Sequence, residues 1–183
     1  CYGGGISTVE EVEMLVDIGV EKVALSSAVI ENPSLVNELV KAVGSQSIVV
    51  VMDILEQKNF LSKKYQLRTQ NGTKIHKHEL FYFIKKIQDL GVGEIVLNSI
   101  DRDGMMQGYD YELVDKIKSI IKVPLTILGG AGTLDDIKKL FDQFGIIGAS
   151  AGSLFVFKGK YRAVLINYPS IENKMKLYLN TIN

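Results

Sequence analysis

The sequence predicts an α/β fold built on a parallel sheet. Three observations carry that prediction. Short apolar, β-branched runs alternate with longer amphipathic stretches from one end of the 183 residues to the other. The runs lack period-2 alternation, as expected of parallel strands covered on both faces. The amphipathic stretches have recognisable helix ends. A repeating strand–helix–strand order then requires a parallel sheet with right-handed crossovers.

Strands are expected at Lys22–Leu25, Ser47–Met52, Glu94–Asn98, Pro124–Leu128 and Ile146–Ala149. The first helix opens at Ser7-Thr8-Val9-Glu10, which has the S-x-x-E form of a capping box, and Val9, Val12, Val16 and Gly19 follow at helical spacing. Asn32-Pro33 supplies a cap and a first-turn proline for a second helix, with Leu35, Val36, Leu39, Val40 and Val43 on one face and Gly44 to stop it. Leu80, Phe83, Ile84, Ile87 and Leu90 form a third stripe ended by Gly91. Leu113, Val114, Ile117, Ile120 and Ile121 form a fourth behind Asp110, closed by Val123-Pro124. Thr133 opens a fifth helix, and Tyr168-Pro169-Ser170 opens a last one, from Ile171 to about Thr181. One stretch, residues 59–77, departs from the pattern. Its Asn71-Gly72 is a hairpin signal between the β-leaning Lys64–Arg68 and Thr73–Ile75, so a β-hairpin is expected as an insertion in a single domain spanning 1–183.

Composition excludes several classes. The 21 Lys+Arg balance 21 Asp+Glu, which leaves no cationic excess for nucleic acid or an anionic membrane. With 46% apolar residues the chain has enough for a sizeable core. No run of 18 apolar residues and no leader-like start occurs, so neither a membrane span nor a secretory signal is expected. The single cysteine, Cys1, fits a reducing compartment, and a cytoplasmic location is expected.

Glycine placement is more informative. Residues 3–27 lie over 129–153 at a constant offset of 126, pairing Gly3 with Gly129, Gly4 with Gly130, Ser7 with Thr133, Gly19 with Gly145 and Ser27 with Ser153. Each copy reads as glycine turn, capped helix, glycine, apolar strand, then small residues ending in serine, the outline of a duplicated phosphate-binding unit. Bare backbone at Gly3-Gly4-Gly5 and Gly129-Gly130-Ala131-Gly132 lets N–H groups converge on an anion, with helix dipoles adding partial positive charge. A tight turn that merely needs glycine is the alternative. Ser26-Ser27 and Gly152-Ser153 would complete the two cages, and no Lys or Arg clusters at either, so neutral donors would hold the anions.

Two acidic positions follow strands. Asp53 closes Ile48–Met52, and Asp101-Arg102-Asp103-Gly104 follows Ile95–Ile100. Acids at the carboxyl ends of parallel strands sit where barrels place their chemistry, and Asp53 is a candidate general acid or base. Asp103-Gly104 serves equally as a turn or a ligand contact, and Asp101 and Arg102 could pair. His76 and His78 have no third ligand at metal spacing, so no metal site and no cofactor are expected. Lys158-Gly159-Lys160-Tyr161-Arg162 reads as basic surface, with a contact to phosphate as the minor alternative.

Over its whole length the sequence resembles a known family. The carriers are Gly3-Gly4-Gly5-Ile6, Glu31-Asn32-Pro33-Ser34-Leu35, Gly44-Ser45-Gln46, Val50–Asp53, Ser99–Gly104 with Gly108-Tyr109-Asp110, and Gly129–Gly132. Their order is similar to that in the cyclase subunit of imidazole glycerol phosphate synthase, a (β/α)8 barrel of histidine biosynthesis. The resemblance implies a lyase-type cyclase that adds ammonia from a glutaminase partner to a small bis-phosphorylated substrate. It implies Asp53 as a catalytic acid/base, Gly5, Ser26 and Ser27 at one phosphate, and Asp103, Gly104, Gly130, Gly152 and Ser153 at the other. Lys22 and Glu94 match the gate where ammonia enters.

Two departures accompany the resemblance. A barrel of this type needs about 250 residues, and this chain starts at the tail of what would be the third strand. An incomplete barrel is therefore expected, lacking two strand–helix units and a second catalytic aspartate. Such a chain should be inactive alone and prone to self-association through open sheet edges. The second departure is local: Ser26-Ser27, Leu128 and the tail Gly152–Pro169 look more like a relative that amidates surface sugars. A non-catalytic ammonia-conducting scaffold is a further alternative.

Overall fold

The computed structural model describes residues 1–59, 62–159 and 161–178. They divide into two compact units, one of Cys1–Leu97 with Ile120–Leu125, the other of Asn98–Ser119 with the residues from Thr126 onward.

The first unit contains β1 (Tyr2–Gly3), α1 (Val9–Asp17), β2 (Val23–Leu25), the short α2 (Ser27–Glu31), α3 (Leu35–Val43), a 3₁₀ turn (Ser45–Ser47), β3 (Ile48–Asn59), β4 (Ser62–Thr69), β5 (Lys74–Glu79), α4 (Leu80–Asp89) and most of β6 (Glu94–Ser99). β1 pairs parallel with β2, β2 with β3, and β6 lies next to β3. Val12, Val23, Ile48, Val50, Phe83, Ile84 and Ile87 are wholly buried and form the unit's core.

β3 runs seven residues past the expected end at Met52. The uninterrupted apolar run stops there, but Met52 and Ile54 stay buried while Asp53 and Leu55 are half-buried, which is the alternation of a strand with one covered face. Ile48–Val50 pair with β2, and Asp53–Asn59 turn to antiparallel pairing with β4. The Asn71-Gly72 signal lies in a loop of four residues, not two. Gln70, Asn71 and Gly72 all have positive φ (54°, 55° and 79°), and the Thr73 N–H donates to the Gln70 carbonyl. Phe60 and Leu61, within the expected insertion, lie outside the described residues.

The second unit holds α5 (Tyr111–Lys118), β7 (Leu125–Leu128, beyond its first residue), α6 (Leu134–Phe144), β8 (Gly148–Ala149), α7 (Ser153–Val156), β9 (Phe157–Lys158), β10 (Ala163–Val164) and α8 (Ile171–Tyr178). β7 pairs parallel with β8, and β9 with β10 antiparallel. Tyr109, Leu113, Ile117, Leu140 and Phe141 are buried here, and the Phe141 ring stacks on Tyr178 with centroids 4.6 Å apart. The expected continuation of α8 to Thr181 falls outside the described residues.

α5 stops three residues short of the expected Ile121. The Gln88 side chain explains the extended chain that follows: its Nε2 donates to the Ile120 carbonyl (3.1 Å) and its Oε1 accepts the Lys122 N–H (2.6 Å). Those groups are thereby satisfied without another helical turn.

Within each unit the parallel strands neighbour one another in chain order with helices between, the organisation of an incomplete (β/α)8 barrel. Among the described residues no helix is long and apolar enough to cross a membrane.

The internal repeat is real in three dimensions but not gapless. Gly4-Gly5 and Gly129-Gly130 are paired positive-φ turns, each followed three residues later by a capping Thr8 or Thr133, which gives an offset of 125. From Gly19 and Gly145 through Ser27 and Ser153, where α2 and α7 begin, the offset is 126. One extra residue therefore sits in the helical segment of the second copy. The cap explains the slip: Thr8, not Ser7, accepts the Glu11 N–H, and Glu11 completes the capping box that the sequence placed one residue earlier.

Candidate functional site

In the first unit, the carboxyl ends of β1 and β2 open into a cavity of about 580 Å³ walled by Gly4, Gly5, Ser26, Ser27, Glu31, Val51 and Gln70, among others. Gly4 and Gly5 have φ of +109° and +74°, and a Cβ on either would meet no atom within 4 Å, so their backbone faces open space. Ser26 (φ −129°, ψ −87°) turns the chain from β2 into α2, and its side chain caps no helix amide. The structure thus brings Gly5, Ser26 and Ser27 to one cavity.

The N-terminus of α1 contributes less than expected. The Glu11 carboxylate already accepts the Ser7 and Thr8 N–H groups (2.7 and 3.1 Å), which hold its pKa below the ordinary glutamate value. That helix end carries its own anion, leaving the glycine turn and the serines for any other. Gly5→Ala is expected to cost only about 1–2 kcal/mol, the penalty of left-handed backbone without a clash, measurable by urea denaturation.

Asp53 lies on β3 two residues beyond Val51 and therefore on the same strand face as the cavity wall. It does not close the strand, as the sequence suggested. It stands where the strand exchanges its parallel partner for β4, directly across from Arg68. Arg68 escaped the sequence reading because that register depends on how β3 and β4 meet, and the sequence carries no Asn-Gly-type signal there. Lys22 and Glu94 lie at the opposite, amino-terminal ends of β2 and β6, with Lys22 Nζ 2.5 Å from Glu94 Oε2.

The hairpin adds a second unforeseen element. Lys74 on β5 pairs with Glu31 of α2 (2.6 Å), so the hairpin is tied to the cavity wall, and Gln70 at its tip lines the cavity. His76 meets the buried Thr69 hydroxyl through Nε2 at 2.7 Å, and His78 stacks on Phe83. Burial, with Lys74 next, lowers the His76 pKa. Its neutral form is therefore favoured by folding, so its contribution is intact above pH ~6.5 and is lost as pH falls below that value. The melting temperature should drop on acidification from pH 7.5 to 5.5, and less so in His76→Gln. No cluster of three metal-ligating side chains exists among the described residues.

In the second unit, the residues expected at the other phosphate divide into two groups. Gly130 is a packing residue: a Cβ there would lie 2.2 Å from the Gly108 carbonyl oxygen, and its own carbonyl accepts the Gly108 N–H (2.8 Å). The Asp103 N–H is committed to the Ser99 carbonyl (3.0 Å). The Gly132 and Thr133 N–H groups at the start of α6 are taken by Asp136, as Glu11 takes those of α1. Gly104 (φ +74°), Gly152 and Ser153 remain: a Cβ on Gly104 would lie 3.9 Å from Ser153 Oγ, and one on Gly152 would meet nothing within 4 Å. Arg102 pairs with the buried Asp110 (3.9 Å), not with Asp101. Tyr109 and Tyr111 anchor this loop, their hydroxyls donating to the Ser150 and Asp136 carbonyls. Burial raises both phenol pKa values, that of Tyr111 to about 12.

Residues 1–162 match the family model described as histidine biosynthesis protein. The chain is 57% identical over 176 residues to a Vibrio vulnificus protein provisionally named imidazole glycerol phosphate synthase subunit hisF3, covering 96% of this chain and 67% of that one. It is 49% identical over 178 residues to a Leptospira borgpetersenii protein with a similar provisional name, subunit HisF, covering 97% and 69%. The imidazole glycerol phosphate synthase subunit HisF of Petrotoga mobilis is 37% identical over 161 residues, covering 88% and 62%.

Proposed function

The chain belongs to the histidine biosynthesis protein family, with the imidazole glycerol phosphate synthase cyclase subunits, and from that membership we propose that it works as the ammonia-using cyclase of histidine biosynthesis. In this reading a glutaminase subunit supplies ammonia, and the acceptor is a small substrate with a phosphate at each end. One observation supports it best: an open glycine turn, two serines and the face of β3 that bears Asp53 belong to one cavity wall.

The division of labour follows from chemistry. Gly5 backbone, Ser26 and Ser27 hold one phosphate with neutral donors, and Gly104, Gly152 and Ser153 hold the other, Gly130 and Asp103 shaping the turns around it. Ammonia forms the new C–N bond with its lone pair at a carbonyl carbon. Asp53 takes a proton from the adduct and returns one to the departing oxygen. Lys22 and Glu94, paired at the far strand ends, form the gate for ammonia. Lys22→Ala should lower glutamine-dependent turnover several-fold while ammonium-dependent turnover stays within about twofold; equal losses in both assays would remove the gate assignment. We place the protein in the cytoplasm.

A second reading, amidation of a surface sugar by the same ammonia chemistry, draws on Ser26-Ser27, Leu128 and the residues of the tail Gly152–Pro169. Complementation separates the two. Rescue of a histidine auxotroph lacking the cyclase by the full-length gene supports the first reading. Failure to rescue, with loss of an amidated sugar on gene deletion, supports the second.

A further inference from the structure

The β9–β10 hairpin carries Arg162, and its guanidinium reaches back across the sequence to the second cage. Arg162 Nη2 donates to the Gly104 carbonyl at 2.6 Å, and the guanidinium carbon lies 5.5 Å from the centroid of the Phe157 ring. Gly104 is the residue whose Cα faces Ser153 Oγ. The backbone of Arg162 sits at φ +49°, uncommon for a side-chain-bearing residue, and its N–H closes a turn onto the Gly159 carbonyl. Ring contact and tether together hold a planar cation beside Gly104, one of the three residues left open in this cage.

We propose that Arg162 is a phosphate-binding residue of the second cage and makes that cage cationic where the first is neutral. This rests on the reading of Gly104, Gly152 and Ser153 as a phosphate site. One N–H of the guanidinium is spent on Gly104, and the others can fork onto phosphate oxygens, the geometry in which arginine binds phosphate best. The duplicated unit has no counterpart. After α2 the first copy continues through Asn32-Pro33 into α3, and the position equivalent to Arg162 is the buried Val36. The charged wall residue there is Glu31, already paired with Lys74. The two cages are thus unlike in charge.

The test titrates inorganic phosphate into the full-length protein carrying Ser27→Asp, which closes the first cage to anions, followed by calorimetry at two salt concentrations. Adding Arg162→Gln should weaken phosphate binding about tenfold and flatten its salt dependence, because a charge–charge contact has been removed. Arg162→Lys should recover part of the affinity, since it keeps the charge and loses the fork. Unchanged affinity in Arg162→Gln, alongside weaker binding in Ser153→Ala, would overturn the role of Arg162 and leave the phosphate site standing. Absence of saturable binding in both the Ser27→Asp protein and its parent would overturn the phosphate reading together with this one. Loss of salt-dependent binding in Arg162→Lys equal to that in Arg162→Gln would also count against it, marking Arg162 as a strap that only holds Gly104.

Discussion

Asp53→Asn should lower kcat of cyclisation in the full-length protein by about 10²–10⁴-fold, the usual worth of a positioned acid/base group, with KM nearly unchanged. Asparagine keeps the size and much of the hydrogen bonding of aspartate but cannot take up and return a proton in this pH range. The site predicts this split between kcat and KM because the residues assigned to the phosphates lie on other elements, in the turn after β1 and at the start of α2. Steady-state kinetics with ammonium as nitrogen donor makes the measurement without involving a glutaminase. Full activity in the variant would remove Asp53 from the chemistry and favour a scaffold that merely conducts ammonia.

Gly130→Ala should cost about 2–5 kcal/mol of folding stability, more than Gly5→Ala. Two penalties combine: roughly 1–2 kcal/mol for a side chain at positive φ, and about 1–3 kcal/mol for forcing a methyl group into closed packing. The obstacle is backbone, the Gly108 carbonyl at 2.2 Å, and Gly108 is itself held by its N–H to Gly130. Neither partner can swing aside as a side chain would. At Gly5 the same φ penalty arises with nothing within 4 Å. Urea denaturation of the two variants should therefore separate the glycine that clamps a loop from the glycine that faces open space; equal losses would dissolve the distinction.

That pair shows how far the sequence could be read. Both glycine clusters were visible, and so was their spacing. Their division of roles was not, because glycine leaves the same mark whether a turn needs left-handed backbone, another backbone passes close, or a ligand does. The helix stops were legible for a local reason: Gly44, Gly91 and Gly145 follow α3, α4 and α6 at positive φ, where a side chain would be strained. The slip of the first cap from Ser7 to Thr8 was not, since both residues offer a hydroxyl and only the position of Glu11 decides between them.

Long-range partners were the larger gap. Nothing near Glu31 marks Lys74 as its partner, and nothing near Gly104 marks Arg162, yet both contacts shape the cages. In the sequence these cations stand in a hairpin exit and in a basic run, where solvated surface is the simplest reading.

By itself the sequence determined the α/β alternation, the glycine stops after α3, α4 and α6 and the paired glycine turns, since each follows from hydrophobic period or glycine placement within one or two turns of chain. The tertiary structure alone decided that β3 continues into the hairpin, which glycines pack against other backbone and which face open space, and where Lys74 and Arg162 reach. Those outcomes depend on groups brought together across tens of residues, and such contacts are settled by packing and register, not by any local preference of the chain.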